Sequence, residues 1–244
     1  MTSLIISDIH ANLEALDTVL EAAGEYDHVL VLGDLVGYGA NPNEVVDRVR
    51  ALPSTTCIRG NHDKAAIDLA STEHFNHLAR FAIQWTADQL TPGSREWLAA
   101  LPSGPLAIDP LIEICHGAPF DEDAYIFDDL DVRRAMAAAS RPVCLFGHTH
   151  VPAAFKLADE PHHIGPPRTD RFKIHLEPAS RYLVNCGAVG QPRDGDPRAA
   201  YALLDTTART LTILRVPYDV KAAQDKIIAA GLPEVLAHRL ALGR

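Results

Sequence analysis

Short apolar runs are the clearest structural pattern in the first 150 residues of the chain. Runs of this length, bounded by Gly, Pro, Asp or Asn, are typical of buried strands. Between the first and second runs, Leu13, Leu16, Val19 and Leu20 recur at helical spacing, which predicts a helix from residue 12 to residue 23. The five predicted strands are residues 4–6, 29–34, 55–58, 111–115 and 143–146.

The rest of the chain completes an α/β pattern. A second helix is expected from Asn41, a long amphipathic one from about residue 78 to residue 90, and another from 132 to 139. Beyond His150, five strands follow one another without long helices, a spacing typical of antiparallel strands. Residues 159–170 are predicted to form an exposed loop, and residues 220–242 two short helices. With no repeat and no linker, residues 1–244 are expected to form a single domain.

Residues that can bind a metal follow every one of the five predicted strands. Taken singly, each is equally well explained as a capping Asp or a surface His, but five such strand ends are hard to attribute to chance. In open α/β sheets, sites are built at the carboxyl ends of the strands. In an extended chain, residues two apart point to the same side, which would pair His148 with His150. The candidate ligands are Asp8, His10, Asp34, Asn61, His116, His148 and His150.

This set of side chains favours hydrolytic chemistry at two metal ions. Seven oxygen and nitrogen ligands exceed what one ion needs, but they suit two ions that share a bridging carboxylate. Mixed His and carboxylate ligation fits manganese, which we favour, or iron or zinc better than calcium or magnesium. Two ions about 3.5–4 Å apart can hold a hydroxide and stabilise in-line attack on phosphorus. His62, next to Asn61, would then be the general acid for the leaving oxygen.

Charge and composition limit the classes of partner. The formal net charge of −10 over 244 residues argues against general binding to nucleic acids or anionic membranes, which require a basic surface. Small phosphate esters remain compatible, since bound cations would make a positive pocket. The N-terminus carries no signal-type segment and no apolar run reaches membrane-spanning length, so a cytoplasmic location is expected. The four cysteines are predicted to be buried reduced thiols, and the oligomeric state is left open.

The ordered motifs resemble those of a known family. Asp-x-His at residue 8, Gly-Asp at 33, Gly-Asn-His-Asp at 60, His-Gly at 116 and Gly-His-Thr-His at 147 are similar to the five blocks of the calcineurin-like metallophosphoesterase superfamily. The whole chain looks like a bacterial branch of small single-domain phosphoesterases. The resemblance implies a four-layer α/β/β/α sandwich of mixed parallel and antiparallel sheets, with a dinuclear centre at the strand ends.

The resemblance also implies a role for each candidate residue. Asp34 would bridge the two ions, and His62 would be the catalytic histidine. One metal would be bound by Asp8, His10, Asp34 and His150, and the other by Asp34, Asn61, His116 and His148.

Two departures from the family pattern affect the expected activity. Ala11 replaces the usual Gly after Asp-x-His, a small change. More important, protein Ser/Thr phosphatases carry Gly-Asp-x-Val-Asp-Arg-Gly, whereas this chain has Gly37 and Tyr38 in place of the Asp that orients the histidine and the Arg that binds phosphate dianions. Without that bidentate contact we expect a phosphodiester substrate, small or nucleotide-like, which needs less charge neutralisation. Arg193 and Asn12 are candidate substrate contacts, with a surface turn and a helix cap as their respective alternatives.

Two other functions remain open from the sequence. A phosphomonoesterase acting on nucleotides or phosphoproteins is the main alternative, and a non-catalytic scaffold with the same fold is a distant one. Specificity is expected from three loops over the metals, residues 63–76, 119–131 and 191–198.

Overall fold

The computed structural model describes residues 1–157, 161–164 and 169–244. Its twelve strands are β1 (Thr2–Ile6), β2 (His28–Val31), β3 (Thr55–Cys57), β4 (Leu106–Ala107), β5 (Ile112–Ile114), β6 (Val143–Phe146), β7 (Ala153–Leu157), β8 (Pro161–His163), β9 (Arg171–His175), β10 (Arg181–Asn185), β11 (Ala199–Asp205) and β12 (Thr210–Val216). Its eight α-helices are α1 (Leu13–Ala22), α2 (Pro42–Arg50), α3 (Asn61–Ile67), α4 (His77–Gln89), α5 (Pro92–Ala99), α6 (Asp129–Ala138), α7 (Val220–Ala229) and α8 (Glu234–His238). Two 3₁₀ helices span Leu69–Thr72 and Arg239–Leu242.

The strands form two six-stranded sheets, each mixed in direction. The first sheet has the order β3-β2-β1-β11-β12-β9, in which β1, β2 and β3 are parallel and the other pairs antiparallel. The second sheet has the order β4-β5-β6-β10-β7-β8, with β5, β6 and β10 parallel. The predicted α/β fold with mixed sheets is confirmed.

Alternating side chains place β1 and β2 between two cores. Ile5 and Leu30 point towards the second sheet and pack with Ile114 and Leu145, because successive residues of a strand face opposite sides. Leu4, Ile6, Val29 and Val31 lie on the other face, in a core shared with α1, α2, α3 and α5. The strands are therefore buried on both faces, which explains their continuous apolar sequence.

A helix also covers the outer face of the second sheet. Val132 and Met136 of α6 pack on Phe146 of β6 and Leu183 of β10. The layers are therefore helices, sheet, sheet and helix, which is the predicted four-layer sandwich. At the C-terminus, Ile227 of α7 and the helix α8 pack in a further cluster with α4 and Tyr38.

Two further predictions concern the region after β7 and the cysteines. The loop predicted over residues 159–170 contains the strand β8, paired with β7, and residues 158–160 and 165–168 of that region lie outside the described residues. The four cysteines carry no disulfide, and Cys115, Cys144 and Cys186 are buried.

None of the described helices combines the length and apolarity needed to cross a bilayer.

Candidate metal centre

The site forms where the strand ends of the two sheets meet. A Cβ atom built on Gly147 would lie 2.0 Å from Oγ of Ser7, so only glycine allows the end of β6 to approach the end of β1 this closely. The backbone N–H of His148 donates to both carboxylate oxygens of Asp8, at 3.1 and 3.2 Å. His148, which follows a strand of the second sheet, thus positions the carboxylate of Asp8, which follows a strand of the first sheet.

The candidate ligands sit in tight turns rather than in extended chain. Asp8, His10, Asp34, His148 and His150 have φ values of 54°, 48°, 55°, 66° and 59°. The left-handed region costs a residue with a Cβ about 1–2 kcal/mol, and such strain concentrates at functional sites. The expected extended geometry around His148 and His150 is therefore wrong, because the chain turns sharply as soon as each strand ends.

Those turns bring the predicted ligands together in two adjoining groups. Within each group the ligand atoms all lie within 4.8 Å of one another, and every member is buried. Asp34 belongs to both groups, and its Oδ2 atom lies 3.4 Å from Nε2 of His10 and 3.4 Å from Nε2 of His116. The first group is Asp8, His10, Asp34 and His150, and the second is Asp34, His116 and His148.

Asn61 joins the second group through its amide oxygen. Oδ1 of Asn61 lies 3.1 Å from Nε2 of His116, and Asn61 is the first residue of α3. All seven predicted ligands are thus brought together, although they come from both sheets and are spread from residue 8 to residue 150 of the chain.

Backbone carbonyls fix the orientation of the imidazoles. A carbonyl can only accept, so the ring nitrogen facing it carries the proton, and in a neutral ring the other nitrogen keeps a free lone pair. Nδ1 of His10 donates to the carbonyl of Val36 at 3.1 Å. In the same way, Nδ1 of His116 donates to the carbonyl of Leu32 at 2.8 Å, and Nδ1 of His150 to that of Gln191 at 2.7 Å. His148 is reversed, since its Nε2 donates to the carbonyl of Asp123 at 3.1 Å. Metal-binding histidines are commonly held in this way.

The inward-facing nitrogens suit a cation. Nε2 of His10 and Nε2 of His150 face each other at 3.2 Å, and each ring already donates from its other nitrogen. Nδ1 of His148 is buried and has no hydrogen-bond partner. Opposed lone pairs and an unpartnered buried nitrogen are unfavourable unless a cation accepts them. The residues present therefore fit divalent metal ions, and their nitrogen and carboxylate atoms are those that transition metals prefer.

Burial and close charges shift the pKa values of the site strongly. Burial lowers the pKa of His116, but Asp34 and Asp8 raise it more, and the net pKa is about 10. Burial raises the pKa of Asp34, but the nearby His116 and His62 lower it more. The net pKa is well below the ordinary value, so this carboxyl stays ionised. A proton between His116 and Asp34 thus stands where a metal would bind, and a metal must displace it.

The remaining ligands are held mostly neutral by burial. Burial raises the pKa of Asp8 to about 7, an effect that Asp34 reinforces and His116 opposes. Burial, with the nearby charge of His116, lowers the pKa of His148 to about 3. The pKa values of His10 and His150 are also well below the ordinary value, with burial as the largest cause. Neutral imidazoles are the form that binds metals.

His62 lies beside the two groups, in an aromatic setting. Its ring centroid is 4.5 Å from that of Tyr38 and 4.8 Å from those of His10 and Phe75. Its Nδ1 atom is buried without a hydrogen-bond partner, and a Cβ atom built on Gly37 would lie 2.4 Å from it. The position where protein phosphatases carry an orienting Asp is therefore filled here by a glycine in contact with the bare ring nitrogen.

A cavity of about 170 Å³ opens next to His62, Asn61 and His148. Its walls include Phe75, from the predicted specificity loop 63–76, and Tyr125, from the predicted loop 119–131. The ring of Tyr125 stacks on His148, with centroids 3.8 Å apart and planes at 27°. Two of the three predicted specificity loops therefore line this cavity.

The two predicted substrate contacts have different surroundings. Asn12 caps α1 by accepting from the N–H of Ala15 at 3.1 Å, and its amide donates to the carbonyl of Gly190 and the hydroxyl of Tyr218. The observed hydrogen bonds of Asn12 are thus those of the cap alternative. Arg193, in the third predicted specificity loop, lies close enough to lower the pKa of His62 and to act on Asp8 and His10. Its Nε atom is buried without a partner.

Asp63 is a supporting residue that the sequence reasoning did not assign. Its carboxylate accepts from the N–H groups of Leu35 and Val36 at 2.9 and 3.1 Å, and from Gly60 at 2.9 Å. It therefore ties the turn that carries Asp34 to the start of α3. The signal was available, because an acid at the third helical position is typical of a capping box.

Comparison with known proteins agrees with this geometry. Residues 1–209 match the model of the calcineurin-like phosphoesterase superfamily domain. The chain belongs to that superfamily. It is also 38% identical to the uncharacterized protein MJ0912 of Methanocaldococcus jannaschii, over 98% of this chain and 97% of that protein. The predicted family is confirmed.

Solved structures show the same fold in related chains. The crystal structure of a metallophosphoesterase from Sphaerobacter thermophilus has 40% identity and a TM-score of 0.86, and all of each chain is covered. The hypothetical protein PH1004 from Pyrococcus horikoshii OT3 shares the fold, with a TM-score of 0.80 and 21% identity over 100% of this chain and 98% of that one. The superfamily implies divalent metal ions and phosphoester substrates, and the His and Asp groups of this chain can bind such ions.

Proposed function

We propose that this protein is a dinuclear-metal-dependent phosphodiesterase acting on a small or nucleotide-like phosphodiester. The observation that carries the proposal is the pair Gly37 and Tyr38, which stand where dianion-binding phosphatases have Asp and Arg. A phosphomonoester dianion would lack that bidentate guanidinium contact. A diester carries a single negative charge and needs less neutralisation.

The ligand roles follow the two groups of side chains. Asp8, His10, Asp34 and His150 would hold one ion, and Asp34, Asn61, His116 and His148 the other, with Asp34 shared. Manganese is favoured over iron or zinc for this mixed nitrogen and oxygen set. When bound, the ions supply an activated water near neutral pH and neutralise charge on the phosphoryl group.

The protein's own residues would then position and protonate the substrate. His62 is proposed to give a proton to the leaving oxygen. Burial lowers its pKa to about 4, so it needs the negative charge of a bound phosphoryl group beside it to become protonated. Arg193 would contact a phosphoryl oxygen, and Asp63 would keep the turn of Asp34 in place. Asn12 is retained only as a weaker candidate contact.

The remaining parts of the proposal concern the whole molecule. We propose that residues 1–244 act as one domain, because α7 and α8 pack against α4 and against Tyr38 of the site turn. The substrate is a small molecule, and a polymeric nucleic acid is not expected at a chain of net charge −10.

Comparing two esters tests the proposal. Metal-free protein is loaded with manganese, and kcat/KM is measured for bis-p-nitrophenyl phosphate and for p-nitrophenyl phosphate. The value of kcat/KM should be at least about tenfold higher for the diester, and His62→Ala should lower the rate at least about 100-fold. Preference for the monoester would instead support the phosphomonoesterase alternative, which the guanidinium of Arg193 favours. No turnover of either ester and no bound transition metal would favour the scaffold.

A further inference from the structure

A second cationic group lies beyond Arg193, on the C-terminal 3₁₀ helix. The guanidinium carbons of Arg193 and Arg239 lie 5.8 and 5.9 Å from the centroid of the same Tyr38 ring. The Tyr38 ring in turn lies 4.8 Å from that of His10. The two arginines therefore gather at the edge of the metal centre, although 46 residues separate them in the chain.

Neither guanidinium is paired with an acidic side chain that the structure describes, although Nε of Arg239 donates to the backbone oxygen of Arg244. Among the described residues, no Asp or Glu side chain lies within ion-pair distance of Arg193 or Arg239, whereas Arg198 and Arg215 nearby in the sequence are both paired with acids. Arg193 uses Nη2 to donate to Gln191, and its buried Nε has no partner. Burial and the charge of Arg193 lower the pKa of Arg239. Half-buried cations that repel each other are costly unless an anion joins them.

A basic cleft continues from Arg239 to the surface. It is lined by His77, His238, Arg239 and Arg244, with Leu78 and Val235 as apolar neighbours. No acidic residue of the described part of the chain lines it, although the protein has a net charge of −10. Asn76 borders both this cleft and the cavity beside His62, so the two are neighbours on the surface.

We propose that Arg239, together with Arg193, binds a second anionic group of the substrate, a phosphate that is not the one hydrolysed. The inference rests on the proposed phosphodiesterase function. Arg193 is close enough to act on Asp8 and His10 of the metal centre and also on Arg239, so it would contact both phosphates. The substrate class is then a phosphodiester that carries a further phosphate, such as a phosphorylated nucleotide ester.

A matched pair of esters tests the proposal. Thymidine 5′-(p-nitrophenyl phosphate) and its 3′-phosphorylated form differ by one phosphate and release the same chromophore. For the wild-type protein, kcat/KM should be about tenfold higher for the phosphorylated ester, the effect typical of one charge-assisted hydrogen bond. Arg239→Gln should abolish that ratio. Arg48→Gln, an exposed arginine paired with Asp17, should preserve it. Equal rates for the two esters, or an unchanged ratio in Arg239→Gln, would overturn the proposal.

Binding without hydrolysis separates this proposal from the proposed function. Calorimetry on metal-free protein should give thymidine 3′,5′-bisphosphate about tenfold tighter binding than thymidine 5′-monophosphate, and Arg239→Gln should remove the difference. If neither ester is hydrolysed but this difference is present, the phosphodiesterase function fails and the anion site stands. If inorganic pyrophosphate binds as tightly as thymidine 3′,5′-bisphosphate, the site binds free anions. That result would overturn the proposal that it binds a phosphate of the substrate.

Discussion

Oδ2 of Asp34 lies 3.4 Å from Nε2 of His116, although Asp34 follows β2 of one sheet and His116 follows β5 of the other. The same oxygen lies 3.4 Å from Nε2 of His10. Asp34 is therefore the point where the two sheets contribute to one site, and it is the only residue common to both ligand groups among the described residues.

Asp34→Asn should break the pairing of the two metals. The amide keeps the shape of the side chain but loses the negative charge that balances two cations. We expect bound metal to fall from two ions per chain to at most one, and kcat for bis-p-nitrophenyl phosphate to fall at least about 100-fold. Metal content after dialysis and steady-state kinetics measure both effects. Asp17→Asn, half-exposed on α1, is the control, and a fully loaded and active Asp34→Asn protein would contradict the bridging role.

Gly37→Ala should displace His62. A Cβ atom at this position would lie 2.4 Å from Nδ1 of His62, and the φ of Gly37 is +91°. Left-handed strain alone costs about 1–2 kcal/mol, so a control must carry the same strain without the contact. Gly24→Ala does so, because Gly24 has φ +71° and nothing within 4 Å of the added Cβ.

Gly37→Ala should lose more stability than Gly24→Ala, because its added Cβ also meets His62 and Ile83, and only Gly37→Ala should lose activity. We expect kcat of Gly37→Ala to fall at least tenfold while that of Gly24→Ala stays within about twofold of wild type. Thermal unfolding and kcat, measured on the same preparations, separate the loss of stability from the loss of activity. Equal kcat values for the two variants would mean that Gly37 does not set the position of His62.

Much of the fold and the site could be predicted from local pattern. The apolar runs that end at residues 6, 32 and 146 stand out because Asp, Gly or His follows each within two residues, and the residues after these runs are the ligand candidates. The sequence could not give the left-handed turns at Asp8 and His148, because these depend on hydrogen bonds from the opposite sheet. The position of Asp63 in α3 is typical of a capping box, but its bonds to the N–H groups of Leu35 and Val36, 27 or more residues away in the chain, have no local signal.

The contacts around the cavity were also out of reach of pattern reasoning. Tyr38, Tyr125 and Arg239 come from three distant segments, and each taken alone is an ordinary half-buried or buried residue. The arrangement of Tyr38 and Arg239 follows from the packing of α8 and the C-terminal 3₁₀ helix near α4, and Tyr125 is placed by its stacking on His148. Long-range packing of this kind has no periodic signature in a single sequence.

Glu122→Gln should loosen the loop that carries Asp123 and Tyr125. Glu122 accepts from Nε and Nη2 of Arg59 at 3.1 and 2.8 Å and from Nζ of Lys64 at 3.1 Å. Burial raises the pKa of Glu122, but Arg59 and Lys64 lower it more, and the net shift is downwards. A carboxyl with a lowered pKa stabilises the fold above its unfolded pKa, and this contribution is lost as the pH falls through the folded pKa.

The melting temperature of Glu122→Gln should therefore depend on pH in a defined way. At pH 7 we expect it about 1–4 °C below that of wild type. The difference should shrink as the pH falls below about 4.5 towards the lower pKa of folded Glu122, where the wild-type side chain also becomes neutral. Glu21→Gln, at an exposed position of α1, should show no such trend. A difference that is constant from pH 3 to pH 7 would rule out the ionised form of Glu122 as its source.

Tyr125 makes two separable contacts at the mouth of the site. Its ring stacks on His148, with centroids 3.8 Å apart, and Arg193 lies close enough to its hydroxyl to oppose the rise in the pKa of Tyr125 that burial causes. Tyr125→Phe removes only the hydroxyl contact. In the proposed function Arg193 contacts the phosphoryl group, so loss of the hydroxyl beside it should raise KM about threefold to tenfold while kcat changes little.

Tyr125→Ala removes the stacked ring as well. His148 is held by that ring and by the carbonyl of Asp123, so its loss should weaken metal binding about tenfold in addition to the effect on KM. Manganese titration of the metal-free proteins separates the two variants, since Tyr125→Phe should bind the metal like wild type. Equal metal affinities of Tyr125→Ala and Tyr125→Phe would show that the ring does not position His148, and an unchanged KM in both would remove Arg193 from the substrate contacts.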